Sequence, residues 1–170
     1  MSHARARAVI KTIAAVLLGV VFVAFSQASS TFEARSRTHK FRLKPAERCF
    51  MRKINSRRMR RGLARLHWDR QLAYVARRHA RTLARAGGGV WHDSDLAHRV
   101  TRWRSLGENT GRGRNCRSLF RALWRSSHHR ANMLGRWSFM GVGIGRHRGR
   151  IYVQQVFENR SNPGNIYSYP

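Results

Sequence analysis

The chain has 170 residues, of which 42% are hydrophobic, so it can form one packed domain with appendages and is not a disordered basic tail. Its 35 Lys and Arg residues outnumber 7 Asp and Glu residues, and the formal net charge is +28. This excess predicts attraction to polyanions: nucleic acid, an anionic wall polymer or an acidic membrane surface. The alternative is an arginine-rich composition spread over solvated faces, because net charge reports on association and not on fold or activity.

The N-terminal segment has the pattern of a secretory signal peptide. Arg5, Arg7 and Lys11 precede the uncharged, mostly apolar run 12–25, and small residues stand at the −3 and −1 positions of a cut after Ala28. The pattern predicts cleavage of residues 1–28 and export. An uncleaved anchor is the alternative, because the uncharged run extends to Phe32, although the apolar part is shorter than the ~20 residues that span a bilayer.

The middle of the chain alternates linkers and helices. Residues 29–44 lack apolar periodicity and predict a flexible basic linker. Pro45 suits the first turn of a helix, and Gly62 ends that segment. Asp69 is a good N-cap for a second, strongly amphipathic helix that stops at the glycines from Gly87 onward. His79 lies on the apolar stripe of this helix, where a hydrogen-bonded core residue is more common than a ligand.

The second half mixes short helices with a hairpin. We expect a turn of helix over 95–103, a loop or short strand around Glu108, and a helix over 118–124 that ends in a turn at Ser126 and Ser127. Two β-rich runs within 139–157 flank a basic, glycine-containing turn at 146–150 and predict a β-hairpin. Residues 161–170 are expected to form a C-terminal tail without regular structure.

Three side chains beside glycine-rich or turn-rich segments are candidates for a functional site: His92, Glu108 and His129. Two imidazoles and one carboxylate can ligate zinc or another divalent ion, and they can also act as a general acid–base pair. Spacing alone decides neither, since the H-E-x-x-H pattern and the G-x-S-x-G elbow are both absent. The alternative is that these side chains hydrogen-bond to backbone and hold the loops over the core.

The two cysteines, Cys49 and Cys116, are 67 positions apart and form no C-x-x-C pair, so a zinc knuckle or thioredoxin-type site has no support. In an exported chain a single disulfide is the natural use, worth about 4 kcal/mol in the chain-entropy model. In the cytosol both thiols would stay reduced.

A set of short pieces in fixed order, from about residue 54 to residue 159, resembles the CAP/SCP superfamily, and most closely its bacterial branch. That superfamily includes cysteine-rich secretory proteins, insect venom antigen 5 and plant pathogenesis-related proteins. Each piece is weak alone, and their order and spacing over more than 100 residues carry the resemblance. The pieces are Ile54-Asn55-x-x-Arg58, Gly62-Leu63, Leu66-x-Trp68-Asp69, Leu72, Ala76, His79-Ala80, His92, Leu96-x-x-Arg99, Gly107-Glu108-Asn109, Ser126-x-x-His129-Arg130-x-Asn132-x-Leu134 and Gly141-Val142-Gly143.

The resemblance implies an α+β fold, a three-layer α-β-α sandwich with a small antiparallel sheet, over a domain set at residues 45–160. It also implies a cleft lined by a His/Glu tetrad, and His92, Glu108 and His129 match three of its four members. The fourth, a second glutamate, has no acidic counterpart between Glu108 and His129, which lowers the case for a tightly bound divalent metal such as zinc, calcium or magnesium. On this fold Cys49 and Cys116 are a reasonable disulfide pair between two helical elements.

Two functions remain in competition at this point. One is a secreted binding module for an anionic cell-envelope polymer or lipid, and the other is a metal-dependent, protease-like hydrolase that uses the same cleft. Specific nucleic-acid binding is not expected, because export argues against it and the aromatic residues are not interleaved with Arg in a stacking platform. A membrane contact is expected only through an uncleaved N-terminal segment. The sequence leaves catalysis and the oligomeric state open.

Overall fold

The computed structural model describes residues 41–159, so the predicted signal peptide, most of the linker and the C-terminal tail lie outside the described residues. Five helices and four strands follow one another along this range. They are α1 (Pro45–Met59), β1 (His67–Trp68), α2 (Arg70–Ala86), α3 (Leu96–Arg99), β2 (Ser105–Gly113), α4 (Cys116–Arg125), α5 (Ser127–Leu134), β3 (Phe139–His147) and β4 (Arg150–Asn159). Within residues 41–159 no helix is both long enough and apolar enough to cross a bilayer.

The strands form one sheet in the order β1-β3-β4-β2. The pairs β3–β4 and β2–β4 are antiparallel, and the short β1 runs parallel to β3. β3 and β4 are joined by the hairpin that the sequence predicted, with Gly149 at φ +68° in its turn. Because β2 is an edge strand, its side chains can meet segments that do not belong to the sheet.

Alternate residues of β4 face different helices, as the period of a strand requires. Ile151, Val153 and Phe157 belong to a core cluster with α1 and α4, whose members include Phe50, Ile54, Leu119 and Leu123. Val156 belongs to the second cluster, with Leu72, Val75 and Ala76 of α2. The sheet is therefore covered by helices on both faces, which confirms the predicted α+β three-layer sandwich.

The predicted start of α1 and both predicted ends of α2 are confirmed, whereas α1 ends at Met59, three residues before Gly62. α1 begins at Pro45, and Glu47 in its first turn accepts a hydrogen bond from the backbone N–H of Lys44 (2.8 Å). Asp69 caps α2 by accepting from the N–H of Leu72 (2.9 Å), and Gly87 ends α2 in the left-handed conformation at φ 70°. Each of these caps satisfies backbone groups that a helix end otherwise leaves without partners.

Buried polar side chains of α1 fasten that helix to three other segments. Glu47 is fully buried and receives two bonds from Arg77 of α2, at 2.7 and 2.6 Å. Asn55 exchanges two hydrogen bonds with the backbone of Leu66. Arg58 donates to the backbone carbonyls of Ala64, Met133 and Gly135. The last two lie at the C-terminal end of α5. These contacts explain why polar residues occupy the inner side of a core helix.

Three boundaries differ from the sequence-based expectations. α3 ends at Arg99 instead of continuing to residue 103, and Arg102 has a positive φ of 60°, which a helix cannot contain. Glu108 lies inside a nine-residue strand, because pairing with β4 extends β2 beyond what its polar sequence predicts. The expected turn at Ser126 and Ser127 is a break at Ser126 alone, and Ser127 already begins α5.

α2 lies directly on the backbone of β3. A Cβ atom added to Gly141, Gly143 or Gly145 would overlap the backbone of Leu72, of Ala76 or of Ala80 respectively. Three glycines on one face of a strand thus let a helix approach more closely than any side chain permits. The contact places α2 and the sheet at a fixed separation.

The disulfide between Cys49 and Cys116 is present, with the two Cα atoms 6.4 Å apart. Cys49 lies within α1, and Cys116 is the first residue of α4. The bond therefore joins two helices that cover the same face of the sheet, and no free cysteine remains among the described residues.

We predict that Gly143→Ala destabilises the fold by about 3 kcal/mol or more, because the added methyl group meets helix backbone that cannot move aside. Urea unfolding measures the change. Gly89→Ala is the matched control, since a Cβ there meets nothing within 4 Å and should change stability by less than about 1 kcal/mol. Equal stabilities for the two variants would contradict the close-contact argument.

We also predict that the double substitution Cys49→Ser and Cys116→Ser lowers the free energy of unfolding by about 2–4 kcal/mol, because the open chain gains conformational freedom. Denaturant titration with and without reductant measures this effect. The reductant should destabilise the wild type and leave the double variant unchanged. A wild type insensitive to reductant would show that the bond contributes nothing.

Candidate functional site

The side chains of Glu108 and His92 are in contact at the sheet edge. Glu108 stands in β2, and the Nδ1 atom of His92 lies 3.3 Å from its Oε1 atom. The Glu108 side chain is 8% exposed, whereas that of His92 is 67% exposed. The pair therefore consists of an inner carboxylate and an outer imidazole that solvent and solutes can reach. The structure thus brings two of the three predicted residues together.

Glu108 also holds the segment that carries His92. Both of its carboxylate oxygens accept from the backbone N–H of Asp93, at 3.1 and 3.2 Å. Asp93 in turn is bound by Arg99 (2.5 Å) and accepts from the N–H of Asp95. This is the loop-fastening role that the sequence left open as an alternative, and it exists beside the contact with His92. Because the Glu108 carboxylate contacts both His92 and the N–H of Asp93, it is fixed in position.

Asp93 is the residue of this site that sequence reasoning missed. Its side chain is 3% exposed in the ion pair with Arg99. The sequence signal was the position of Arg99, six residues after Asp93 and four residues after Asp95. Arg99 also pairs with Asp95, at 2.8 Å. Asp93 positions the backbone around His92 and does not itself reach the surface.

His129 stands in α5, the helix whose Asn132 binds the backbone carbonyl of Glu108. Its Nδ1 atom lies 2.8 Å from the hydroxyl of Ser126, at the break between α4 and α5. Burial lowers the pKa of His129 below the ordinary 6.5 of histidine, and the positive charges of His92 and then His128 lower it further. The ring is therefore neutral down to a lower pH than usual and can accept a proton there.

A network of amide side chains fixes α5 to the edge strand. Asn109 donates to the carbonyl of His129 (3.0 Å) and to Gln155 (3.1 Å). Asn132 donates to the carbonyl of Glu108 (2.8 Å) and to Asn109 (3.0 Å). Asn109 is fully buried, so leaving its amide without partners would be costly. Asn109, which follows Glu108 in β2, and Asn132 of α5 thereby hold His129 in position.

The donor set does not fit a three-ligand metal centre. Among residues 41–159, no group of three or more His, Cys, Asp or Glu side chains is arranged to hold an ion. His92 and Glu108 supply a two-donor pair, and the carboxylate of that pair is also occupied by the N–H of Asp93. A structural or catalytic zinc site has at least three protein ligands. Metal binding at His92, Glu108 and His129 stays a prediction, and no chemical step is assigned to it.

The sequence model of the CAP family, described as the cysteine-rich secretory protein family, matches residues 51–157. This range is more than half of the chain, and the chain therefore belongs to that family. The match confirms the resemblance that the ordered motifs indicated. A search of curated proteins gives no match.

Solved structures show the same fold. An outer surface protein from Borrelia burgdorferi superposes with a TM-score of 0.64 at 16% identity, covering 71% of this chain and 96% of that one. An extracellular protein containing an SCP domain from Bacillus anthracis gives 0.54 at 26% identity, covering 69% and 43%. A cysteine-rich secretory protein from Staphylococcus aureus gives 0.57 at 20% identity, covering 66% and 38%. The chain spans less than half the length of the last two.

We predict that His129 makes the protein less stable as the pH falls. Its pKa is lower in the folded protein than in the unfolded chain, so the unfolded chain binds more protons between the two values. The contribution of neutral His129 to the free energy of unfolding is complete above about pH 6.5. It is lost as the pH falls through the pKa that His129 has in the folded protein. Thermal unfolding from about pH 7.5 to 5 should be steeper in pH for the wild type than for His129→Gln.

A proton NMR titration of the His129 ring checks the cause of this effect. The expected result is a midpoint below 6.5. A midpoint at or above that value, or the same pH dependence of unfolding for wild type and variant, would contradict the described environment.

Proposed function

We propose that this protein is an extracellular binding module of the CAP family whose ligand is an anionic polymer or lipid of the cell envelope. The predicted signal peptide supports export, and the Cys49–Cys116 disulfide is typical of proteins that fold outside the cytosol. One of the related structures is an extracellular protein and another is a secretory protein by description. The ligand class follows from the surface charge.

The distribution of acidic residues carries the proposal. Of the acidic residues in 41–159, Glu47, Asp69, Asp93 and Glu158 are buried, and the side chain of Glu108 is 8% exposed. Asp95, at 57%, is the exposed exception within this range, and it is paired with Arg99. The arginines, in contrast, are mostly exposed. The few negative charges therefore stabilise the interior, and the surface offers cations to a solute.

The predicted cleft of His92, Glu108 and His129 would differ in character from that surface. Its carboxylate would repel an anion, while the exposed ring of His92 and that of the neighbouring Trp91, which is 44% exposed, are open to solutes. A planar indole and an imidazole suit contacts with the uncharged parts of a polymer. In this proposal the cleft contributes hydrogen bonds and ring contacts, and the cationic surface contributes the attraction.

A second candidate function is hydrolysis, and the His92–Glu108 contact at 3.3 Å favours it together with the lowered pKa of His129. A carboxylate that orients one imidazole, beside a second imidazole that is neutral, is a workable acid–base arrangement. A substrate screen on wild type, Glu108→Gln and His129→Ala decides the matter. Turnover lost in both variants supports hydrolysis, and no turnover, or equal turnover in all three proteins, removes it.

Metal analysis of the purified protein complements that screen. Stoichiometric divalent metal in the wild type and its loss in His92→Ala would favour the hydrolase. Absence of stoichiometric metal from the wild type would favour the binding module.

We predict that the protein binds a soluble anionic polymer, such as linear polyphosphate, with a dissociation constant that rises at least about tenfold between roughly 50 and 200 mM salt, because counterions are released on binding. Fluorescence anisotropy of the labelled polymer measures this. An uncharged polymer such as dextran is the control and should show no salt-dependent binding. A dissociation constant independent of ionic strength would contradict the proposal.

A further inference from the structure

A groove of about 510 Å³ lies between α1 and α4, and its lining includes none of the cleft residues His92, Glu108 and His129. Six of its nine lining residues are cationic and none is acidic. The cations are Arg52, Lys53, Arg57, Arg60, Arg117 and Arg121, and the other lining residues are Cys49, Ser56 and Phe120. A concave surface with this lining holds a strongly positive potential, because low-dielectric walls concentrate the field.

Each helix contributes cations one turn apart. Lys53 and Arg57 are four residues apart in α1, and Arg117 and Arg121 are four residues apart in α4. Side chains at this spacing are neighbours, and like charges there repel each other and destabilise the helix. The ion pairs seen within residues 41–159 involve Arg77, His92 and Arg99, none of which lines the groove. An anion in the groove would relieve this repulsion.

Aromatic rings hold two of these cations, Lys53 and Arg57, in place. The guanidinium of Arg57 lies 4.9 Å from the ring centre of Trp124, and that of neighbouring Arg61 lies at the same distance from the same ring. The Lys53 ammonium lies 5.7 Å from the ring centre of buried Phe120, which stacks on Trp124. Cations held in this way lose less conformational freedom when a ligand binds than free side chains do.

The disulfide fixes the distance between the two cationic walls. Cys49 lines the groove, and its partner Cys116 begins α4, one residue before Arg117. The first turn of α4 also presents the positive end of the helix dipole on this side. The two walls therefore face each other at a separation that a covalent bond maintains.

We infer that the α1–α4 groove is a binding site for the phosphate groups of a linear phosphate polymer. The inference rests on the proposed function and extends it by naming a place and a ligand class. Six cations need several negative charges in a small volume, which a polymer with one charge per unit supplies. The two non-bridging oxygens of a chain phosphate share its one negative charge and lie at tetrahedral positions, so they can accept from both walls. A glutamate carboxylate stands on a flexible side chain that loses conformational freedom when it is bound.

The test compares two matched double variants in the binding of labelled linear polyphosphate. Arg117→Gln with Arg121→Gln removes two cations from the groove, and Arg81→Gln with Arg85→Gln removes two from the exposed face of α2. In each pair the two arginines are exposed and lie four residues apart on one helix, and each double variant lowers the net charge by the same amount. Unchanged circular dichroism and melting temperatures establish that the variants are folded.

We expect the groove variant to bind about tenfold or more weakly than the wild type. The slope of its log binding constant against log salt concentration should decrease in magnitude by about one to two. The α2 variant should lose no more than about threefold. Equal losses in the two variants would overturn the groove as a site while leaving the proposed function intact. Failure of the wild type to bind polyphosphate or any anionic polymer or vesicle would remove the proposed function itself.

Two further probes test the ligand class. Polyglutamate of similar charge should bind more weakly than polyphosphate and depend less on the groove. Phosphatidylglycerol vesicles distinguish a lipid surface from a polymer. Equal groove-dependent affinity for polyglutamate, or groove dependence for vesicles without any for polyphosphate, would overturn the phosphate-polymer assignment.

Discussion

The close contact of α2 with the glycine face of β3 determines how the helices pack on the sheet. Because helix backbone meets strand backbone at Gly141, Gly143 and Gly145, α2 lies directly on the middle of the sheet. One helix can then cover one face while α1 and α4 cover the other. The edge strand β2 pairs with β4 and is left to meet the segments around α3 and α5, which carry the histidines. The candidate site is thus a consequence of how the sheet is packed.

Within residues 41–159 the few acidic side chains lie almost entirely inside. Glu47 joins α1 to α2 through Arg77, Asp69 caps α2, and Glu108 holds the backbone at Asp93. Each of these interior carboxylates is matched by a cation or by N–H groups, as burial of charge requires. The consequence is a surface on which positive charge is nearly unopposed. A disulfide between α1 and α4 then holds part of that charge in a groove against the repulsion of its own side chains.

Much of the fold could be predicted from the sequence, since Pro45, Asp69 and Gly87 have local effects that tertiary contacts reinforce. The hydrogen bond of His79 to the carbonyl of Trp91 likewise agrees with a structural histidine. Residues that depend on distant partners were harder to predict. The strand around Glu108 exists through pairing with β4, and Asp93 matters because Glu108 receives its N–H. The groove could not be predicted, because the spacing of cations along one helix does not show that the cations of α1 and α4 face each other.

In our proposal the cationic surface acts at a defined place, the α1–α4 groove, rather than everywhere. An NMR titration of the protein with linear polyphosphate, following backbone amides and arginine Nε–H groups, tests this proposal. We expect the largest shifts on α1 and α4 around Lys53, Arg57, Arg117 and Arg121, with small shifts on α2. Shifts of equal size over all exposed arginines, or shifts confined to the segment around His92 and His129, would contradict it.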